Sequence, residues 1–111
     1  MQKLKLTEFK KDLRAKADSV RAEHAKRYFK TGPGEYGGGD IFLGLVVPDQ
    51  RKIAKKYRAL NRGDIVKLLQ SKIHEERQVA LFILVDQFLK GSESDRKEIY
   101  DLYLANAQRI N

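Results

Sequence analysis

Five cations fall within eight residues, Arg51, Lys52, Lys55, Lys56 and Arg58, and their spacing decides what chemistry they can offer. At about 100° per residue, Arg51, Lys55 and Arg58 share one side of a helix, with Lys52 and Lys56 on a flank. Ile53, Ala54, Tyr57 and Leu60 gather on the opposite side. One face is built to pack and the other to meet an anion. Pro48 can occupy the first helical turn, where its missing N–H costs nothing, and it pushes Val47 out of the α region. A helix is therefore predicted to start near Pro48.

The other residues that could do chemistry narrow the choice. Thr31-Gly32-Pro33-Gly34-Glu35-Tyr36-Gly37-Gly38-Gly39-Asp40 suits neither helix nor strand and reads as a loop. Its glycines would let backbone N–H groups approach a phosphate. No Gly-Lys-Ser/Thr follows, however, and no βαβ frame surrounds it, so a nucleotide-binding loop is not supported. Ile41-Phe42-Leu43-Gly44 is expected to anchor this loop on the core, with Gly44 marking a close backbone approach or a positive φ. His24 is isolated, and His74 has no metal-ligand partner at helical spacing. Cysteine is absent, which excludes disulfides, thiolate metal sites and cysteine nucleophiles. No metal or other cofactor is expected.

The 111 residues make one domain of ordinary size, and 41% hydrophobic with 34% charged residues reads as soluble and globular. The longest uninterrupted apolar run, Val79 to Val85, is far too short to span a membrane. The N-terminus has lysines but no apolar h-region, so a secretory signal is not supported and a cytoplasmic, nucleoid-associated location is expected. Of the net charge of +8, residues 1–30 carry ten Lys/Arg against four Asp/Glu, residues 31–70 seven against four, and residues 71–111 six against seven. The basic half is N-terminal. Its natural partner is a polyanion, with nucleic acid first among them.

Six helices are predicted to position these groups. Leu6, Phe9, Leu13 and Ala17 form the inner stripe of a helix from Thr7, as N-cap, to about Lys16. A second helix runs from about Ser19 to Lys30, with Ala22, Ala25 and Phe29 inward and Lys26, Arg27 and Lys30 outward. Tyr28 lies at the edge of that stripe, as a packing residue or as a phenol beside a binding surface. After the Pro48 helix, Asp64 to Gln70 buries Ile65, Leu68 and Leu69. Ser71 caps a helix from Lys72 to Lys90, apolar all the way round between Val79 and Val85 and therefore central, with Glu75 and Glu76 complementing its dipole. Gly91 ends it. Ser92 caps the last helix, which runs to about Gln108 with Ile99, Leu102, Tyr103 and Ile110 as its stripe. No segment alternates with period two. The chain reads as all-α, three consecutive helix pairs in the order expected of an α-solenoid.

Arg21-Ala22-Glu23-His24-Ala25-Lys26-Arg27-Tyr28-Phe29-Lys30, Gly32-Pro33-Gly34-Glu35-Tyr36-Gly37, Asp40-Ile41-Phe42-Leu43-Gly44, Val47-Pro48-Asp49 and His74-Glu75-Glu76-Arg77 together resemble the AlkD-like DNA alkylation repair proteins. The likeness covers almost the whole chain in collinear order. It implies a HEAT-like α-α superhelix whose concave basic surface holds duplex DNA. It also implies a glycosylase that releases cationic N-alkylated purines, such as 3-methyladenine and 7-methylguanine, without a metal. Tyr28 matches a family tyrosine close to the DNA backbone, and Arg51 matches a basic position after the proline. The triple glycine at 37–39 departs from the commoner Gly-Glu-Gly of the family.

The chemistry of releasing a cationic base asks for stabilisation of an oxocarbenium-like sugar and a placed water. In the family this falls to a Trp-Asp-x-x-Asp motif, expected just after a segment like Ala107-Gln108-Arg109-Ile110-Asn111. The 111 residues contain no tryptophan. Asp40, Asp86 and Asp101 are accordingly not nominated as catalytic, and the chain is expected to correspond to the N-terminal half of a full-length relative, inactive alone. Lys26, Lys30, Lys52, Lys55, Lys56 and Arg58 join Tyr28 and Arg51 as DNA contacts on charge and helix face. A non-enzymatic helical scaffold is the alternative. The C-terminal helix, lacking the next repeat, is expected to self-associate.

Overall fold

The computed structural model describes residues 2–28 and 41–107, with side chains from 5–27 and 41–107. Among the described residues the helices are α1 (Gln2–Ala15), α2 (Ser19–Tyr28), α3 (Val47–Lys56), α4 (Arg62–Leu69), α5 (His74–Lys90) and α6 (Glu93–Asn106). The all-α expectation holds, with no strand among the described residues and only an isolated parallel bridge between Ile41 and Ile73. No helix among them is long and apolar enough to cross a membrane.

Helix α5 is the hub. It contacts α1, α3, α4 and α6, while α1 also touches α3 and α4 touches α6. Val79, Ala80, Ile83 and Leu84 are buried on it, joined by Phe9 and Leu13 from α1, Ile53 and Ala54 from α3, Ile65, Leu68 and Leu69 from α4, and Ile99 from α6. The helix is not enclosed all round, because Val85 is 55% exposed and Leu89 is exposed beside it. Burial follows what neighbouring helices cover, and nothing described covers that flank.

Several boundaries moved for physical reasons. Helix α1 begins at Gln2, before Thr7, because Gln-Lys-Leu-Lys-Leu contains no residue that stops a helix. It ends at Ala15, so Ala17 is exposed instead of joining the inner stripe. The turn there is made by Asp18, whose carboxylate accepts hydrogen bonds from the backbone N–H groups of Val20 and Arg21, each at 3.0 Å, and so caps α2. Asn61 caps α4 in the same way through the Asp64 N–H at 2.7 Å, starting it at Arg62.

Ser71 does not cap α5. Its Oγ accepts from the Ile73 N–H at 3.0 Å, and the helix begins only at His74. The delay is a tertiary effect: the Ile41 N–H donates to the Lys72 carbonyl and the His74 N–H to the Ile41 carbonyl, both at 2.8 Å, holding 72–73 extended. Ser92 and Asp95 form a reciprocal capping box on α6. Gly91 ends α5 as expected, but at φ −83°, so its need for glycine is steric. A Cβ there would sit 2.8 Å from both the Asp95 Cβ and the Gln87 carbonyl.

Candidate nucleic-acid interface

Pro48 lies in the first turn of α3, but the helix opens at Val47, which is therefore not pushed out of the α region as expected. The extended residue is Val46, at φ −74° and ψ 151°, and Pro48 is tolerated one position further in because the N–H groups of the first turn have no intrahelical partner. Ile53, Ala54, Tyr57 and Leu60 are all buried, and Arg51, Lys52, Lys55, Lys56 and Arg58 are all exposed. The two-faced reading of this segment is therefore correct in burial, although α3 itself ends at Lys56, so that Tyr57, Arg58 and Leu60 lie in the turn that follows the helix. The core side is fixed further by an edge-to-face contact between Phe9 and Tyr57, with ring centroids 5.3 Å apart.

The five cations of this segment differ in their surroundings. Lys56 donates to the Asp12 carboxylate at 2.8 Å, and the Tyr57 hydroxyl donates to the same oxygen at 2.6 Å. Those two hydrogen bonds hold the Asp12 carboxyl below its ordinary range. Burial, then the hydrogen bond to Asp12, pushes the Tyr57 phenol up, and the Asp12 bond also raises Lys56. Arg51, Lys52, Lys55 and Arg58 make no ion pair with any carboxylate among the described residues. Arg58 Nε donates to the Lys55 carbonyl at 3.2 Å, which satisfies the end of α3 while leaving its charge unpaired. The guanidinium carbon of Arg51 lies 4.5 Å from the centroid of the Phe82 ring on α5.

Arg51 and Lys55 line a cleft of about 240 Å³ between α3 and α5, with Ala54, Phe82, Val85, Asp86 and Leu89 as the rest of its wall. Asp86 is held by Lys90 at 3.0 Å. Gln87 of α5 fastens the turn that follows α3, donating to the carbonyls of Arg58 and Leu60 at 2.9 and 3.0 Å.

A second device lies at the entry to α3. Glu75, 2% exposed, accepts from the backbone N–H groups of Leu43 at 2.9 Å, Gly44 at 2.8 Å and Leu45 at 3.4 Å. The expectation that Glu75 serves the helix dipole missed this anchoring role. Gly44 has φ +82°, and a Cβ on it would lie 2.1 Å from the Asp18 carbonyl oxygen and 2.7 Å from the Ala22 nitrogen. Both the positive φ and the close approach expected of it are present. Phe42 is buried and stacks on His74, ring centroids 4.9 Å apart, so His74 is a packing residue of this junction.

On α2, Lys26 is exposed with Glu23 at 3.8 Å, a loose surface pair. Tyr28 is the last residue of α2, but its side chain lies outside the described residues, as do Phe29, Lys30 and the loop at 31–40. The three expected contacts on α2 and the loop are therefore not brought together with α3 by anything described. Asp101 is exposed, and Asp40 falls outside the described residues. No group of three or more His, Cys, Asp or Glu side chains among the described residues could hold a metal ion.

Sequence reasoning missed Asp12, Phe82 and Glu75 as partners of the candidate site. Each acts across more than 30 positions of sequence on groups whose neighbours only the fold supplies.

The chain matches no curated protein and no solved structure. Residues 9–111 match the family model described as DNA alkylation repair enzyme. That span holds all five cations of the α3 segment, the Glu75 junction and the whole of the central helix, and by it the chain belongs to the DNA alkylation repair enzyme family.

Proposed function

We propose that this chain engages the phosphate backbone of duplex DNA in the repair of alkylated bases, through the outer face of α3 on a HEAT-like superhelix of three helix pairs. The observation that carries the reading is the row Arg51, Lys52, Lys55 and Arg58. These four cations are exposed and free of carboxylate partners among the described residues; Arg51, Lys52 and Lys55 stand on α3, whose other side is locked in the core, and Arg58 stands in the turn that follows it. A row of that kind neutralises phosphates without reading bases.

Tyr28, Lys26 and Lys30 extend this face in the proposal, and Lys56 joins it only when its bond to Asp12 opens. The reaction served is removal of a cationic N-alkylated purine, whose positive charge makes it a good leaving group. No residue of these 111 is assigned the role of the carboxylate that would stabilise the sugar cation.

The test is fluorescence anisotropy on a labelled duplex across a salt series. Neutralising about three to five phosphates gives a slope of log K against log salt of about −3 to −4.5, and Arg51→Glu with Lys55→Glu flattens it. Binding that is absent at low salt, or indifferent to salt, refutes the reading. A protein-docking scaffold is the second reading, supported by the exposed apolar residues Val85, Leu89, Tyr100 and Leu104 on α5 and α6. Under that reading the α3 charge reversals leave partner capture unchanged.

A further inference from the structure

We propose that Arg51 and Lys55 act as one phosphate clamp over the α3–α5 cleft, with Phe82 as the positioning residue that holds Arg51 ready. The inference rests on the DNA-backbone reading above and names the residue that organises it.

Arginine on an exposed helix face ordinarily samples many rotamers, and each phosphate contact has to select one of them. Here the guanidinium carbon is 4.5 Å from the Phe82 centroid, a distance at which the ring's quadrupole attracts it. Phe82 is itself half-buried and packed against the core cluster, so the ring is a fixed platform. Covering one face of the guanidinium leaves its N–H edge free. That edge is the donor fork that matches two oxygens of one phosphate.

Lys55 stands four residues on, one helical turn away on the same side, and lines the same cleft. It supplies a point charge where Arg51 supplies direction. Asp86 is the one carboxylate in the cleft wall, and Lys90 engages it at 3.0 Å, which leaves the cleft positive. Val85 and Leu89 complete the wall with apolar surface suited to the face of a deoxyribose. The ligand class is therefore a phosphodiester with its sugar, taken from the backbone.

Phe82→Leu keeps apolar bulk and removes the ring, while Phe82→Tyr keeps the ring. Circular dichroism melting confirms that each variant is folded. On a labelled duplex at fixed low salt, Phe82→Leu is expected to weaken binding by about 2- to 5-fold, the size of an exposed cation–π contact. Its salt slope stays that of the parent, because no charge is lost. Arg51→Gln flattens the slope by about 0.9, and adding Phe82→Leu to it changes nothing further. Phe82→Tyr binds like the parent.

Parent-like affinity in Phe82→Leu, or additive losses in the double variant, overturns the clamp while leaving the DNA reading intact. Failure of the parent to bind duplex at all removes the DNA reading. The clamp is then judged by titrating inorganic phosphate and following the Arg51 Nε–H resonance. A shift in the parent that is lost in Phe82→Leu sustains it, and no shift in the parent overturns it.

Discussion

Glu75→Ala removes the acceptor that fixes the chain between α2 and α3. The carboxylate is 2% exposed and accepts two short hydrogen bonds, from Leu43 N at 2.9 Å and Gly44 N at 2.8 Å, with a longer one from Leu45 N at 3.4 Å. Bonds to a charged acceptor contribute about 1.5–3 kcal/mol each, so the two short ones together amount to about 3–6 kcal/mol. Part of that is offset, since the variant no longer desolvates a carboxylate. A net loss of about 2–5 kcal/mol is a large share of the roughly 5–15 kcal/mol that holds a domain of this size. Urea unfolding followed by far-ultraviolet circular dichroism reads it directly. With a slope of about 1–3 kcal/mol per molar, the midpoint falls by about 1 M or more. Glu75→Gln is expected to fall between parent and alanine, because its amide sets an NH₂ against backbone donors where an oxygen stood. Glu98→Gln is the control, an exposed partner of Arg62 whose loss costs within about 0.5 kcal/mol. Equal midpoints for Glu75→Ala and Glu98→Gln would refute the idea that the buried carboxylate anchors this junction.

Gly44→Ala forces a Cβ to within 2.1 Å of the Asp18 carbonyl oxygen at φ +82°. Left-handed strain of about 1–2 kcal/mol adds to the displacement of α2, so a total loss above about 3 kcal/mol is expected in the same assay, and a midpoint within 0.3 M of the parent contradicts it. Asp12→Asn frees Lys56, so the duplex salt slope should steepen by about 0.9; an unchanged slope means that Lys56 does not face the phosphates. Because the folded Asp12 carboxyl titrates below its ordinary 3.8, its stabilisation is present above that value and lost as pH falls through the lower folded one. Asp12→Asn should therefore flatten the acid limb of the stability profile below about pH 4. Finally, Val85, Leu89, Tyr100, Tyr103 and Leu104 are exposed on α5 and α6, and light scattering is expected to show mass rising with concentration. Leu89→Glu with Tyr103→Glu should abolish that rise, and a parent that stays monomeric at high micromolar concentration refutes it.

How much was legible in the sequence follows from how local each signal is. Pro48 placed the start of α3, and the 3.6-residue period then sorted Ile53, Ala54, Tyr57 and Leu60 from Arg51, Lys52, Lys55 and Arg58 without any knowledge of neighbours. Ser92 as the cap of α6 and Gly91 as the end of α5 are likewise written within a turn of where they act. Gly44 was marked because few residues other than glycine tolerate its backbone angle, although the sequence could not name Asp18 and Ala22 as what it approaches. Tertiary contacts decided the rest. The start of α5 was shifted by backbone bonds between Ile41 and 72–74, which cap signals cannot foresee. Val85 came out exposed although its run is uniformly apolar, since periodicity ranks faces and only packing decides which of them is covered. Lys56 and Lys55 are indistinguishable by type and adjacent in sequence, about 100° apart on the helix, yet one sits on Asp12 and the other lines the α3–α5 cleft. An ion pair is fixed by distance in space, and residues 44 positions apart share that distance only once the chain has folded.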